Sequence, residues 1–213
     1  MSQFLFYPMK KGYLSTGFKN PDYARKNKFA HYGIDMDEWA AAGFDVLAGG
    51  SGTVLGVEMC RNSVGGVVVI RYEDVYNPTT KKVQDLIARY LHLAEIKVQK
   101  GERVTAYQPI GHVLGDHPWW NHIHLELDTD TAYPFNTPQV SEGASRLLVQ
   151  KPSTDASIIN PVDVLVVGEQ QTAEIHPKAI YTTAADKPRW NEGDLTLTTS
   201  DKKICPTCGR ELP

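Results

Sequence analysis

With 213 residues, the chain has room for one well-packed domain plus an appendage, or for two small domains. Hydrophobic residues make up 41% and charged residues 22%, an ordinary balance for a globular protein in water. A net charge of −3 without a basic run excludes the electrostatic footprint of a nucleic-acid binder, and no apolar stretch approaches the roughly 18 to 20 residues that membrane insertion as a helix requires.

The opening "MSQFLFYPMKKGYLSTGF" carries a short apolar patch followed by lysines, the wrong order and length for a secretory signal. Three cysteines, two of them in one short motif, do not form a disulfide framework. Synthesis in a reducing cytoplasm is therefore expected. From about residue 12 to 127, short apolar runs are broken by glycine pairs and turns. "FDVLAGGSGTVLGVEM" and "GGVVVIRYEDV" read as antiparallel strands and hairpins. "TKKVQDLIARYLHL" can be drawn as a helix, but Ala88, Tyr90 and His92 also alternate with Arg89, Leu91 and Leu93, as in a strand. "VQKGERVTAYQPIGHVLG" adds two brief strands around a Lys-Gly turn and a further strand after Pro109. Residues 129–158 have the Pro, Ser and Thr density of a long loop insertion, with one helical turn near "SRLLVQ". "INPVDVLVV" reads as a closing strand. The fold class expected is mainly β: an antiparallel, sandwich-like domain over residues 1–167 with long loops. Residues 168–213 form a linker and C-terminal tail, with a hairpin at "DLTLTT" and a Cys-x-x-Cys knuckle.

Three short segments carry the chemistry. In "NHIHLEL", residues two apart on a strand face one side about 6.6 Å apart, so His122 and His124 aim into one site. In "HYGID", a straight strand would hold His31 and Asp35 about 13 Å apart, too far to share an ion. Gly33 tolerates unusual backbone angles, so a bend or bulge there would let both side chains converge. In "ARYLHL", His92 lies on a strand with Tyr90 on the same face.

In that order, separated by Gly-rich β segments, "HYGID", "YLHL" and "HIHLE" resemble the motifs of the lysostaphin/LytM-type zinc endopeptidases that cut bacterial peptidoglycan. "GFDVLAGGSGTVLGV", "VQKGERVTAYQPIGHVLG" and "INPVDVL" are similar to the family's connecting segments, so the resemblance covers roughly residues 12 to 165 without the insertion. It implies a duplicated hybrid motif fold and one catalytic zinc ion, held by His31, Asp35 and His124. It also implies catalytic roles for His92 and His122, and bacterial peptidoglycan as substrate. Three protein ligands leave one position of a tetrahedral zinc open for water, the arrangement of a catalytic site. Without a signal peptide, such a protein resembles a phage or prophage lysin, made in the cytoplasm and acting on the wall after release or on a virion tail.

The resemblance is incomplete. Before the His-x-His strand the family has a flexible Ser/Thr/Gly run, whereas this chain has "GDHPWW". Trp119 and Trp120 are read as a substrate wall or as core packing, and Tyr90 as a further substrate contact. The family's substrate-orienting tyrosine has two candidates, Tyr23 and Tyr32. Glu126 is read on the face opposite the histidine pair, as a support behind the ligands or a surface charge. His112 and His117 match no ligand position. Cys205 and Cys208 in "CPTCG" offer half of a structural zinc site, so either two chains share an ion as a homodimer, or the thiols are free or vestigial. Two other functions fit the pattern less well: a catalytically silent relative that binds or activates a wall hydrolase, and a histidine phosphoryl-carrier domain of the same β architecture.

Overall fold

The computed structural model describes residues 2–38, 42–117, 120–151, 156–169 and 171. Trp119, the tail cysteines Cys205 and Cys208 and the hairpin expected at "DLTLTT" lie outside the described residues.

Seven strands form a continuous antiparallel sheet, in the order Tyr13–Thr16, Ile34–Asp37, Ile123–Asp128, Lys82–Leu93, Gly66–Asn77, Gly52–Met59 and Arg103–Val104. Ile158–Ile159 joins as an eighth by pairing with the far end of Ile123–Asp128. A smaller antiparallel sheet of Phe44–Leu47, Pro109–Val113 and Glu95–Ile96 packs on it. The main core lies between them, with Val46, Ile110 and Val113 from the small sheet against Ile34, Ile70 and Leu125 from the large one. Each such aliphatic side chain, fully buried, contributes about 1.5–3 kcal/mol.

A second apolar cluster covers the other face of the large sheet. Val67, Val69, Ile87 and Leu91 pack there against Val140 and Leu148 of the insertion. Strands buried on both faces need apolar residues without alternation, which is why "GGVVVI" and "DLIARYL" are near-continuous hydrophobic runs. The ambiguous segment resolves as a 12-residue strand, Lys82–Leu93.

Glu58 clamps the insertion to the sheet. Its carboxylate accepts from the Ser145 hydroxyl and from the amides of Arg146 (3.0 Å) and Leu147 (2.9 Å). Burial alone would raise this carboxyl; those donors and the Arg146 guanidinium overcome it and hold it down at about 2.

Three details differ from the sequence reading. No helical turn forms at "SRLLVQ"; instead Val149–Gln150 pairs in parallel with Asn136–Thr137. The closing strand is split into Ile158–Ile159 and Leu165–Val166 by a 3-10 turn at Pro161–Asp163. Asn160 starts that turn, its side chain accepting from the Val162 amide at 3.2 Å, with Pro161 fixing the first position. A short α-helix, Pro21–Asn27, was not expected. Asn20 Oδ1 caps it by accepting from the Tyr23 amide at 2.9 Å, and Lys28 ends it with φ 67°. Among the described residues, no helix is long and apolar enough to cross a membrane.

Candidate metal centre and cleft

The strand Ile123–Asp128 is central to the site. Its neighbours set the register His124 to Asp35 on one side and His124 to Leu91 on the other. Directly paired residues of antiparallel strands share a face, so Asp35 meets His124 without any side-chain search. Ile123 and Leu125 face the core, fully buried.

His31 arrives from the segment after the short helix. Its ring packs on Tyr23, centroids 4.4 Å apart, and its Nδ1 donates to the Gly17 carbonyl at 3.0 Å. The resulting triangle is tight: His31 Nε2 to Asp35 Oδ1 3.0 Å, His31 Nε2 to His124 Nδ1 2.9 Å, and His124 Nδ1 to Asp35 Oδ1 2.8 Å. All three residues are buried.

Gly33 permits this convergence for a reason other than the one expected. Its φ is not in the left-handed region; what matters is the missing side chain. A Cβ there would lie 2.5 Å from the Leu125 carbonyl and 2.6 Å from His124 Nε2. Gly33→Ala is expected to wedge the two strands apart at the ligand pair. The expected cost is about 1–3 kcal/mol of stability by urea denaturation, with weakened zinc uptake in the same preparation.

The donor set fits a zinc ion. With Nδ1 of His31 committed to a carbonyl, its Nε2 turns a lone pair on the centre. His124 Nε2 faces Glu126 Oε1 at 3.6 Å, which leaves Nδ1 as the inward nitrogen. Two imidazole nitrogens and a carboxylate oxygen within 3.0 Å of one another need shared positive charge between them, from a proton or a metal ion. The surrounding charges act in the same direction. Burial opposes a charge on His124, yet the Asp35 and Glu126 carboxylates push its pKa up to about 9. Burial would likewise raise Asp35, but His31 and His124 hold it well below the usual carboxylate range. The pocket is built to hold positive charge, and imidazole and carboxylate are zinc ligands.

His92 and His122 flank the triangle. Their rings lie 4.8 Å apart, and His92 is 5.9 Å from the His124 ring. Regular alternation would send His92 to the core with Tyr90. Instead the pairing slips between Gly66 and Val68, and His92 takes φ 71°. This bulge re-aims the ring towards the site. The loop before Gly66 holds it there: the His92 amide donates to Val64 O and its Nδ1 to Ser63 O, both at 2.9 Å. Gly65, at φ 66°, belongs to the same clamp, since a Cβ would meet Trp120 Nε1 at 2.9 Å and His92 Cα at 3.0 Å. His122 Nδ1 is paired with Asn121 Oδ1 at 2.9 Å. Burial and the neighbouring His122 and His124 rings push His92 down to about 3, and burial also lowers His122, so both are neutral bases at neutral pH.

The five side chains line an open cleft of about 910 Å³. Tyr23 and Lys26 of the short helix form part of one wall; Gln139, Ser141 and Ala144 of the insertion form part of the other. Gln139 ties the walls together, its Nε2 donating to Tyr23 Oη at 3.0 Å and its Oε1 accepting from the Tyr32 amide at 2.9 Å. The insertion thus overhangs the groove. Of the two tyrosine candidates, Tyr23 lines the cleft and Tyr32 is buried.

The remaining sequence candidates lie elsewhere. Tyr90 is on the core face, its hydroxyl bonded to Tyr72 Oη at 2.8 Å, and does not reach the cleft. The bulge at His92 is why the shared face expected for the two fails. Trp120 stacks on His117 and donates from Nε1 to Asn62 O at 3.2 Å, behind the loop that holds His92. His112 bonds Asp45 Oδ1 at 3.0 Å on the small sheet, away from the site. Glu126 requires a correction: residues 122, 124 and 126 share one parity, so it stands on the same face as the histidine pair and is fully buried. Sequence reasoning missed Arg89, which pairs with it. A charged residue inside "DLIARYL" was the available signal, because a buried guanidinium demands carboxylate partners.

No curated protein matches the chain. Among solved structures, a chain of the SpoIIQ–SpoIIIAH pore-forming complex is similar at 22% identity, over 78% of this chain and 92% of that one, with a TM-score of 0.51. A zinc-containing peptidase from Vibrio cholerae is similar at 26% identity over 59% of this chain and 37% of that one, TM-score 0.44. Lysostaphin from Staphylococcus simulans is similar at 19% identity over 63% of this chain and 51% of its own, TM-score 0.47. The model of peptidase family M23 matches residues 29–136, just over half of the chain and the stretch that carries all five site residues. The chain belongs to peptidase family M23, the lysostaphin/LytM-type peptidases.

Proposed function

We propose that the chain is a zinc metalloendopeptidase that hydrolyses peptide bonds in bacterial peptidoglycan, with His31, Asp35 and His124 as metal ligands and His92 and His122 as catalytic residues. The observation that carries this reading is the complete constellation: three convergent donors with two further neutral histidines beside them, at the floor of an open groove. A zinc ion held by the triangle supplies the positive charge that polarises a scissile carbonyl and acidifies a water molecule. The protein supplies the rest. On both His92 and His122, Nδ1 is engaged by an oxygen, which leaves Nε2 with its lone pair free. At Nε2 one of these rings accepts the proton of the attacking water and, as imidazolium, passes it to the leaving amine; the lone pair of the other accepts a hydrogen bond that positions the water. The groove, walled by the short helix and the insertion, suits an extended peptide. A phosphoryl carrier has no use for Asp35 locked between two imidazoles, and a silent relative has no use for the strained backbone that aims His92.

His122→Ala tests the assignment. It is expected to retain zinc, because His122 Nε2 lies 3.8 Å from Asp35 Oδ1 and outside the triangle. Release of new amino termini from purified peptidoglycan is expected to fall by about 10²–10⁴-fold. Normal digestion by this variant would remove His122 from the mechanism, and loss of its zinc would make it a ligand.

A further inference from the structure

Behind the metal centre runs a chain of buried charges that the reaction itself does not use. Arg89 is 0% exposed. Its Nη1 donates to Glu126 Oε2 at 3.0 Å, its Nη2 to Asp128 Oδ2 at 2.7 Å, and its Nε to the Pro134 carbonyl at 2.8 Å. Lys151 Nζ adds a second bond to Asp128 Oδ2, at 3.0 Å. Glu126 is likewise 0% exposed, and its other oxygen, Oε1, accepts from Thr137 Oγ1 at 2.7 Å. The same Oε1 faces His124 Nε2, a buried nitrogen with no hydrogen-bond partner among the described residues. Such a network is expensive to bury, and replacing it by apolar side chains is often neutral or stabilising. Stability alone does not explain it.

We infer that Glu126 is a positioning residue: clamped by Arg89 and Thr137, it presents only an acceptor to His124 Nε2 and so keeps the lone pair of Nδ1 on the metal side. An arginine has donors and no acceptor, so it fixes which Glu126 oxygen it takes and leaves the other to Thr137 and His124. A carboxylate that faces a ligating imidazole fixes its tautomer and ring orientation and raises its basicity. Thr137 and Lys151 belong to the insertion, so the segment that walls the cleft also braces the ligand from behind. This inference rests on the zinc reading above.

Glu126→Gln isolates the effect with almost no change in shape. Arg89 can donate only to the new amide's oxygen, which turns the –NH2 towards Thr137 and His124. Nε2 of His124 then meets a donor, so its proton moves to Nδ1 and points at the metal position. The experiment is a zinc titration against a chelator of known affinity, with wild type, Glu126→Gln and Arg89→Lys compared below their unfolding midpoints. It is read together with the side-chain 1H–15N spectrum of His124 in the zinc-loaded proteins. Wild type is expected to bind zinc and to show a slowly exchanging, downfield Nε2–H. Glu126→Gln is expected to bind zinc about 10–100-fold more weakly, with that resonance lost. Arg89→Lys keeps a carboxylate facing His124; it should lower stability yet keep the resonance and an affinity within a few-fold of wild type, which a merely structural role for Glu126 does not predict. Unchanged zinc affinity and an unchanged Nε2–H signal in Glu126→Gln would overturn the inference, as would coordination of wild-type His124 through Nε2, a readout that needs no variant. Absence of zinc uptake by wild type itself overturns the metallopeptidase reading, and the wild-type arm tells that failure apart.

Discussion

Alanine at His124 is expected to empty the metal site and abolish peptidoglycan digestion. The residue supplies one corner of a triangle whose edges measure 2.8–3.0 Å, and no other described side chain lies at that corner. Two remaining donors do not make a three-ligand zinc site. Lewis-acid stabilisation contributes several kcal/mol at the transition state. At about 1.4 kcal/mol per tenfold, its loss corresponds to a rate reduction of about 10³-fold or more. The fold should persist, because the pairings of residue 124 with Asp35 and Leu91 run through the backbone. Zinc content, digestion rate and far-UV circular dichroism measured on one preparation give the expected pattern: metal near zero, digestion at background, and an unchanged spectrum. A zinc-loaded His124→Ala protein would contradict the ligand assignment. The contrast with His122→Ala is the useful one, since both variants lose activity but only one loses metal.

The largest stability effect is expected at Arg89. Methionine there fills similar volume but leaves Glu126 and Asp128, both fully buried, without their guanidinium partner; among the described residues Lys151 then remains beside Asp128, and Thr137 and His124 beside Glu126. Breaking a buried pair by removing one partner costs about 3–5 kcal/mol, because a charge is left without compensation. That is a large share of the 5–15 kcal/mol typical of a folded domain. Urea denaturation should show a midpoint shift of corresponding size with an unchanged slope. A loss below about 1 kcal/mol would mean that water reaches these carboxylates, and the network would then lack the rigidity assigned to it.

Much of this architecture was legible in the chain because its signals are local. Alternating parity puts His122 and His124 on one face, and glycine-bounded valine runs announce strands. The motif order by itself points to the family. What escaped the sequence has physical causes. The face of His92 depends on a bulge and a positive φ, neither of which a histidine advertises. The role of Gly33 depends on how closely a strand ninety residues later approaches it. The helix at Pro21–Asn27 is only seven residues long and buries nothing fully, so it has no apolar periodicity, although Asn20-Pro21-Asp22 is a recognisable start. The insertion read as loop because its contribution is tertiary: Val140 and Leu148 gain their purpose only against the outer face of the sheet. Glu126 was open to inspection from parity alone, and with it the partner demanded by Arg89.

The most direct test of the account is digestion of purified bacterial peptidoglycan with metal-analysed protein. Near one zinc per chain, release of new amino termini, loss of that release on chelation and its return on adding zinc are the predicted results. Intact peptidoglycan after incubation with folded, zinc-loaded protein, or digestion that survives removal of the metal, would contradict it.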